Sequence, residues 1–149
     1  AIVDALIEFG ESKMISEFLE DADESVRIKA LKALGKLRFS QIYQRLIKTV
    51  KNRKFLNLTY SEQKAYFDCL VANGGTKLIK DLERILFKWT LFNKQKYLIK
   101  RQLAARALAK IGSETAIAIL RKGIEKRNED IRAVCENALK FIEAKKSND

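Results

Sequence analysis

The sequence contains no proline, no histidine and only six glycines in 149 residues. Because proline interrupts helices and glycine weakens them, their scarcity favours helices joined by short turns, and we expect essentially no strand. The missing histidine removes the usual general base and the commonest metal ligand at neutral pH. We therefore predict a protein that is not an enzyme and that needs no cofactor.

Long hydrophobic runs are also missing. No apolar stretch approaches the roughly 18 residues that a membrane span needs, and no charged-then-apolar signal segment opens the chain. The sequence therefore predicts a soluble, cytoplasmic protein without a membrane span.

Only two cysteines are present, Cys69 and Cys135, and they lie far apart without any C-x-x-C pairing. Free cysteine is among the most buried residue types. We expect both to be small core residues on buried helix faces, and neither a disulfide nor a pair of metal ligands.

Positive charge is abundant but unevenly distributed. The net charge is +11, yet residues 1–25 hold eight acidic side chains and one lysine. No acid occurs from Ser25 to Ser61, which holds ten basic residues, or from Arg84 to Ser113, which holds eight more. Such electropositive stretches favour acidic protein surfaces or polyanions as partners.

A short pattern recurs along the chain at separations of 28 to 38 residues. Each copy has a small residue followed by leucine: Ala5-Leu6, Ala33-Leu34, Cys69-Leu70, Ala107-Leu108 and Ala138-Leu139. Small side chains on one helix face let a neighbouring helix approach, and the leucine fills the groove beside them. The period is that of a two-helix solenoid unit, with these segments as the second helices.

Local signals place the helix ends. The predicted N-caps are Asp23, Ser61, Ser113 and Asn128, which precede acidic first turns. Helices are expected to stop at Gly10, Gly74 and Gly112.

The string "DADESVRIKALKALGKL" resembles the HEAT-repeat signature, particularly the short bacterial kind seen in phycobilisome-lyase-like proteins. The matching residues are Asp23, Val26, Arg27, Ala30, Ala33, Leu34 and Gly35, with a weaker copy at Asp130, Ile131, Arg132, Ala138 and Leu139. The resemblance covers nearly the whole chain and concerns fold, not activity. It implies an all-α, armadillo-like right-handed superhelix of about four helix pairs plus one leading helix, with second helices on the concave side.

The domain prediction follows from these repeats. Residues 1–149 are expected to form a single HEAT-like domain. Because the chain starts inside a repeat, we expect it to be the C-terminal fragment of a longer solenoid. The charged tail, residues 145–149, is expected to fray.

The function predicted from this fold is non-catalytic protein binding, as a scaffold or regulatory module with an electropositive surface and an acidic protein partner. The alternative is nucleic-acid binding through the same basic residues. A remote third possibility is a HEAT-like DNA glycosylase that would use Asp68 and Trp89. We regard Asp68 as a surface salt-bridge partner of neighbouring bases such as Lys32 and Arg106.

Two groups of residues are candidates for partner binding. The first comprises bases on the outward side of the second helices: Lys29, Lys32, Lys36, Arg106 and Lys110. The second lies in two long connections, at residues 53–59 and 88–96: Arg53, Phe55, Trp89, Phe92, Lys94 and Lys96. We favour burial of Trp89 and Phe92 over the helix ends. The alternative is that this second group forms an exposed recognition surface.

An arginine recurs in three of the four complete copies, at positions 27, 101 and 132, and Gln63 replaces it in the fourth. In solenoids of the resembled class, such an arginine pairs with acids of the adjacent turn or repeat. Asp23 and Asp130 stand close to two of them in the sequence. We therefore expect these arginines to be structural.

Overall fold

The computed structural model describes residues 2–148, and within this range it contains helices and turns but no strand. The prediction of an all-α protein is confirmed. In chain order, a leading helix is followed by four successive pairs of α-helices, as the repeat pattern predicted. The chain divides into a first compact unit that ends at Gly75 and a second that begins at Thr76.

Within the described part of the first unit lie five α-helices, joined in part by three short 3-10 helices. The α-helices are α1 (Ile2–Glu8), α2 (Ser12–Glu17), α3 (Glu24–Leu37), α4 (Tyr43–Lys51) and α5 (Tyr60–Asn73). The 3-10 helices are Phe18–Glu20, Ser40–Ile42 and Arg53–Asn57. Helix α3 packs most extensively against α5, while α2 packs against α3 and α4 against α5.

The predicted small-residue register forms the seam of this first unit. Ala33 on α3 and Cys69 on α5 are both buried, together with the leucines that follow them. Ala5 in α1 is exposed, so the first copy of the pattern departs from the others. The close packing of α3 on α5 therefore follows from the small side chains that the two helices carry in equivalent positions.

The second unit contains the remaining helices of the described range. These are α6 (Gly75–Phe87), which begins at the boundary, α7 (Lys94–Ile111), α8 (Glu114–Ile124) and α9 (Glu129–Ser147). Helix α9 packs against both α7 and α8. Ala107 on α7 and Ala138 on α9 are buried, as their register predicted. Helix α9 is helical as far as Ser147; Asp149 lies outside the described residues, and fraying of the tail stays a prediction.

Three of the four predicted N-caps are confirmed. The side chains of Asp23, Ser113 and Asn128 each accept a hydrogen bond from a backbone N–H in the first turn of the following helix. The prediction of Ser61 was wrong, because α5 starts at Tyr60 and Thr59 is its cap, accepting from the backbone N–H of Glu62 at 3.2 Å. Thr59 and Ser61 both carry a hydroxyl group and are common N-cap types, so the local sequence does not decide between them as the start of α5.

Two of the repeat arginines make the same backbone contacts. Nη1 of Arg27 donates to the carbonyl oxygens of Asp21 and Ala22, at 2.8 and 3.0 Å. Nη1 of Arg132 donates to the carbonyls at the corresponding offsets, Lys126 and Arg127, at 3.1 and 3.2 Å. The recurring arginine thus ties each helix to the turn that precedes it, which confirms its structural role.

Arg27 also forms a buried ion pair that the sequence did not identify. Its Nε and Nη2 atoms donate to the two carboxylate oxygens of Glu62 on α5, at 2.6 and 2.8 Å. Glu62 is only 1% exposed, and its hydrogen bond raises the pKa of Arg27 above the usual value. Asp23, the nearby acid expected as a partner, instead caps α3. The pair therefore joins the two helices that form the seam of the first unit.

Both cysteines are free and buried, as predicted. Burial raises the pKa of the Cys69 thiol to about 12 and that of the Cys135 thiol to about 11. Both are therefore protonated core groups at neutral pH.

Candidate protein-binding grooves

A groove of about 360 Å³ lies between α7 and α9 in the second unit. Arg106 and Lys110, two of the predicted binding residues, lie on its α7 wall. Phe141 on α9 also lines the groove and is 56% exposed. The remaining lining residues are Gln102, Ala109, Val134, Asn137 and Ala138. Among the described residues that line this groove none is acidic, so it combines positive charge with apolar surface.

A second groove, of about 460 Å³, lies between α3 and α5 in the first unit. Its α3 wall carries Lys32 and Lys36, also predicted binding residues, and both are exposed. The α5 wall carries Lys64, whose Nζ donates to a carboxylate oxygen of Asp68 at 3.0 Å. Asp68 therefore forms a surface salt bridge, as predicted, and this one joins it to Lys64 on the same helix.

The two grooves occupy equivalent places in their repeats. Relative to the buried small residue, Lys32 corresponds to Arg106 and Lys36 to Lys110. The opposite walls differ, since Asp68 corresponds to Asn137 and Ala72 corresponds to Phe141. The same backbone arrangement thus presents a mixed-charge groove in the first unit and a cationic, partly aromatic groove in the second.

Two other basic candidates lie outside these grooves. Lys29 on α3 is exposed, but its ammonium group forms a salt bridge with the carboxylate of Asp4. Arg53 is exposed in the 3-10 helix Arg53–Asn57. Because Lys29 already has an acidic partner within the chain, its charge contributes less to an external electrostatic field than its sequence position suggested.

Phe55, a predicted member of an exposed recognition surface, is instead a core residue. It is 1% exposed, and its ring makes edge contacts with Tyr66 at 5.5 Å and Phe67 at 6.2 Å between centroids. The 3-10 helix that carries Phe55 turns this side chain inward, where it covers α5. The first long connection is therefore a packing element at this position.

The second long connection behaves in the opposite way. In the loop between α6 and α7, Trp89 is 78% exposed and Phe92 is 70% exposed. The favoured expectation that these two rings are buried was therefore wrong. Leu91 between them is also exposed, and sequence reasoning did not single it out. Lys94 and Lys96, in the first turn of α7, are exposed beside them.

The buried side chain of Arg101 explains how the loop keeps this shape. Its Nη2 donates to the carbonyl oxygen of Lys88 at 2.7 Å and lies 3.4 Å from the hydroxyl oxygen of Thr90. Arg101 occupies the recurrent arginine position, so the connection that it holds is again the one preceding its own helix. The longer connection in this repeat is fixed at its base while the apolar side chains face outward.

Lys100, next to this arginine, is 5% exposed, and burial lowers its pKa from an ordinary value of 10.5 to about 8, with a further contribution from the charge of Lys88. Between these pH values Lys100 therefore binds fewer protons in the folded protein than in the unfolded chain. Stability should consequently rise with pH from about 8 to about 10.5 through this group. The full effect corresponds to about 3 kcal/mol.

We expect Lys100→Met to flatten this pH dependence, since methionine retains the apolar stem without the charge. The measurement is urea unfolding of both proteins, followed by circular dichroism at several pH values across this interval. The buried thiols titrate in the same range in both proteins, so the difference between the two curves isolates Lys100. Parallel stability curves would show that Lys100 does not titrate differently on folding.

The fold and the grooves together define an all-α repeat protein in which register-equivalent helices pack side by side within each unit. Residues 100–126, the C-terminal part of α7 together with α8, match the family model described as PBS lyase HEAT-like repeat. This match supports the interpretation of the chain as a HEAT-like repeat protein, which is the family that the sequence resembles. No curated protein matches the chain significantly.

Two kinds of feature are absent from the described residues. No group of three or more cysteine, aspartate or glutamate side chains in residues 2–148 is arranged to hold a metal ion. Over the same residues, no helix has both the length and the apolar character required to traverse a bilayer.

Proposed function

We propose that this chain is a non-catalytic protein-binding module, a scaffold or regulatory arm, and that the α7–α9 groove binds an acidic segment of its partner. The match of residues 100–126 to a HEAT-like repeat model supports a repeat-based interaction module. The observation that carries the proposal is the lining of this groove, which brings Arg106 and Lys110 on α7 together with the exposed ring of Phe141 on α9.

The chemistry of the groove defines the ligand. Carboxylates form charge-assisted hydrogen bonds with arginine and lysine, so Arg106 and Lys110 favour aspartate or glutamate side chains. Phe141, with Val134 and Ala138 beside it, offers apolar area to a leucine or phenylalanine of the same segment. The preferred ligand is therefore an acidic peptide with one large apolar side chain near its carboxylates.

The α3–α5 groove is a weaker candidate for the same ligand. The carboxylate of Asp68 lies on its wall and would repel an incoming acidic side chain, even though Lys64 partly compensates it. Ala72 also provides much less apolar area than the equivalent Phe141. We therefore expect the second unit to dominate binding.

The test is titration of the protein with a fluorescent peptide that carries alternating glutamates around a central leucine. We expect Arg106→Glu combined with Lys110→Glu to weaken binding by at least about tenfold, since each charge-assisted hydrogen bond contributes on the order of 1.5–3 kcal/mol. Phe141→Ser should weaken binding of the leucine peptide but not of an otherwise identical serine peptide. Amide shifts of Gln102 and Asn137 would locate the peptide in the groove.

The matched control is Lys32→Glu combined with Lys36→Glu, which makes the same change of net charge in the equivalent positions of the other groove. Equal loss of binding in both double variants would mean that the peptide responds only to overall charge, and the proposed site would be rejected. The nucleic-acid alternative is tested in parallel with a single-stranded oligonucleotide. Binding that favours the oligonucleotide and falls steeply with salt would support that alternative instead.

A further inference from the structure

The loop between α6 and α7 presents three large apolar side chains to solvent within four residues. Trp89, Leu91 and Phe92 are 78%, 57% and 70% exposed, respectively. Scattered apolar residues on a surface are ordinary, but a contiguous group of this size is typical of an interaction site. None of the three lines the groove between α7 and α9, so this surface is separate from the site proposed above.

The exposed loop is held in place at its base. Arg101 binds the carbonyl of Lys88 and approaches the hydroxyl of Thr90, and the backbone carbonyl of Asn93 accepts the hydrogen bond from the N–H of Tyr97 that opens α7. Asn93 itself has a left-handed backbone conformation, with φ of +57°, which turns the chain sharply into the helix. The apolar tip is therefore presented by an ordered support, which lowers the conformational entropy lost on binding.

Positive charge surrounds this tip. Lys88, Lys94 and Lys96 are exposed on its two flanks. The sequence contains no acidic residue from Arg84 to Ser113. An anionic surface can therefore approach the loop without meeting a like charge from the same stretch of chain.

We propose that Trp89, Leu91 and Phe92 insert into the headgroup region of an anionic lipid bilayer, while the flanking lysines contact the lipid phosphates and carboxylates. Tryptophan and phenylalanine are suited to the bilayer interface, and lysines near an anionic leaflet add attraction. The loop would hold the module against a membrane surface without crossing it. The acidic-peptide groove would remain available on the same unit.

The chemistry of the tip favours lipid over the other anionic partners. Single-stranded nucleic acid binds by stacking bases on aromatic rings, and this leaves the exposed side chain of Leu91 without a role. An acidic protein would need a complementary apolar pocket, whereas a bilayer accepts all three side chains without such a pocket. Apolar insertion combined with cationic flanks accounts for every exposed apolar residue of the loop and for the lysines beside them.

The experiment uses the whole chain and vesicles of phosphatidylcholine with or without phosphatidylserine. Trp89 is the only tryptophan, so its emission reports directly on the loop. We expect a blue shift and co-sedimentation with the phosphatidylserine vesicles, and weaker effects with phosphatidylcholine alone. Leu91→Ser and Phe92→Ser should each reduce partitioning by about tenfold, because each removes an inserted apolar side chain.

Phe9→Ser is the matched control. Phe9 is as exposed as the loop aromatics, at 78%, but it lies in the acidic segment of residues 1–25. This variant should partition like the parent protein. The loop variants should retain normal circular dichroism and unchanged binding of the acidic peptide, so failure of one proposal is distinguishable from failure of the other.

Three results would overturn the lipid proposal. The first is an emission maximum that phosphatidylserine vesicles do not change. The second is equal partitioning of Phe92→Ser and Phe9→Ser. The third is a change of Trp89 emission on adding a single-stranded oligonucleotide but not on adding vesicles, which would assign the loop to nucleic-acid binding.

Discussion

Glu62→Ala is expected to lower the free energy of unfolding by about 2–3 kcal/mol, at or slightly below the lower end of the range of about 3–5 kcal/mol for breaking a buried ion pair. The guanidinium of Arg27 would lose both carboxylate oxygens, at 2.6 and 2.8 Å, in a site where Glu62 itself is almost completely buried. The expected decrease in the free energy of unfolding is not larger because the Arg27 side chain is 20% exposed and keeps its hydrogen bonds to two backbone carbonyls.

Urea unfolding followed by circular dichroism measures this effect. Lys64→Ala on the same helix is the matched control, since it breaks the exposed pair with Asp68 and should cost no more than about 0.5 kcal/mol. The stability of Glu62→Gln should fall between those of the two alanine variants, because glutamine retains the shape of glutamate and one acceptor oxygen. If Glu62→Ala and Lys64→Ala have equal stabilities, the buried pair does not stabilise the seam.

Gly123→Ala is expected to destabilise the protein by about 2 kcal/mol, although alanine is the better helix former. A Cβ atom on Gly123 in α8 would overlap Sγ of Cys135 on α9 and lie 3.0 Å from its Cβ, so the Cys135 side chain or the helix that carries it would have to shift. Such overpacking costs about 1–3 kcal/mol. It outweighs the gain of about 1 kcal/mol from helix propensity.

Gly35→Ala provides a control of opposite sign. A Cβ atom at Gly35 in α3 would meet its nearest neighbours, Ala72 and Cys69, at the ordinary distances of 3.7 and 3.8 Å. This variant should therefore gain up to about 1 kcal/mol from helix propensity. Adding Cys135→Ala to Gly123→Ala should recover part of the lost stability, because it removes the sulfur atom. Thermal unfolding measures all of these variants, and a stabilising Gly123→Ala would contradict the close approach of the two helices.

The glycine pair shows what the sequence pattern can and cannot distinguish. Gly35 matched a repeat signature, yet the structure has room for a side chain there. Gly123 belonged to no motif, yet it lies at a helix contact where a side chain does not fit. A helical glycine looks the same in a sequence whether its missing Cβ is needed or not, because the atom that would occupy that space comes from another helix.

The candidate partner-binding residues also divide into those that the sequence pattern placed correctly and those that it did not. The register of the second helices predicted that Lys32 and Arg106 occupy equivalent positions, and the structure places both on the walls of equivalent grooves. The aromatic residues of the two long connections differ in burial, and the composition of the connections did not predict this difference. Phe55 packs against Tyr66 and Phe67, whereas Trp89 faces solvent in the loop that Arg101 holds.

The sequence alone determined the helical class, the order of one leading helix and four pairs, and the buried small-residue register at Ala33, Cys69, Ala107 and Ala138. These features depend on helix periodicity and on caps such as Asp23, Ser113 and Asn128, which act within a few residues of each other along the chain. The tertiary structure decided the partner of Arg27, the burial of Phe55 and the exposure of Trp89. The first two depend on contacts with residues that are distant in the sequence or in another helix, and the third depends on the path that the loop backbone takes. Short-range sequence patterns specify neither.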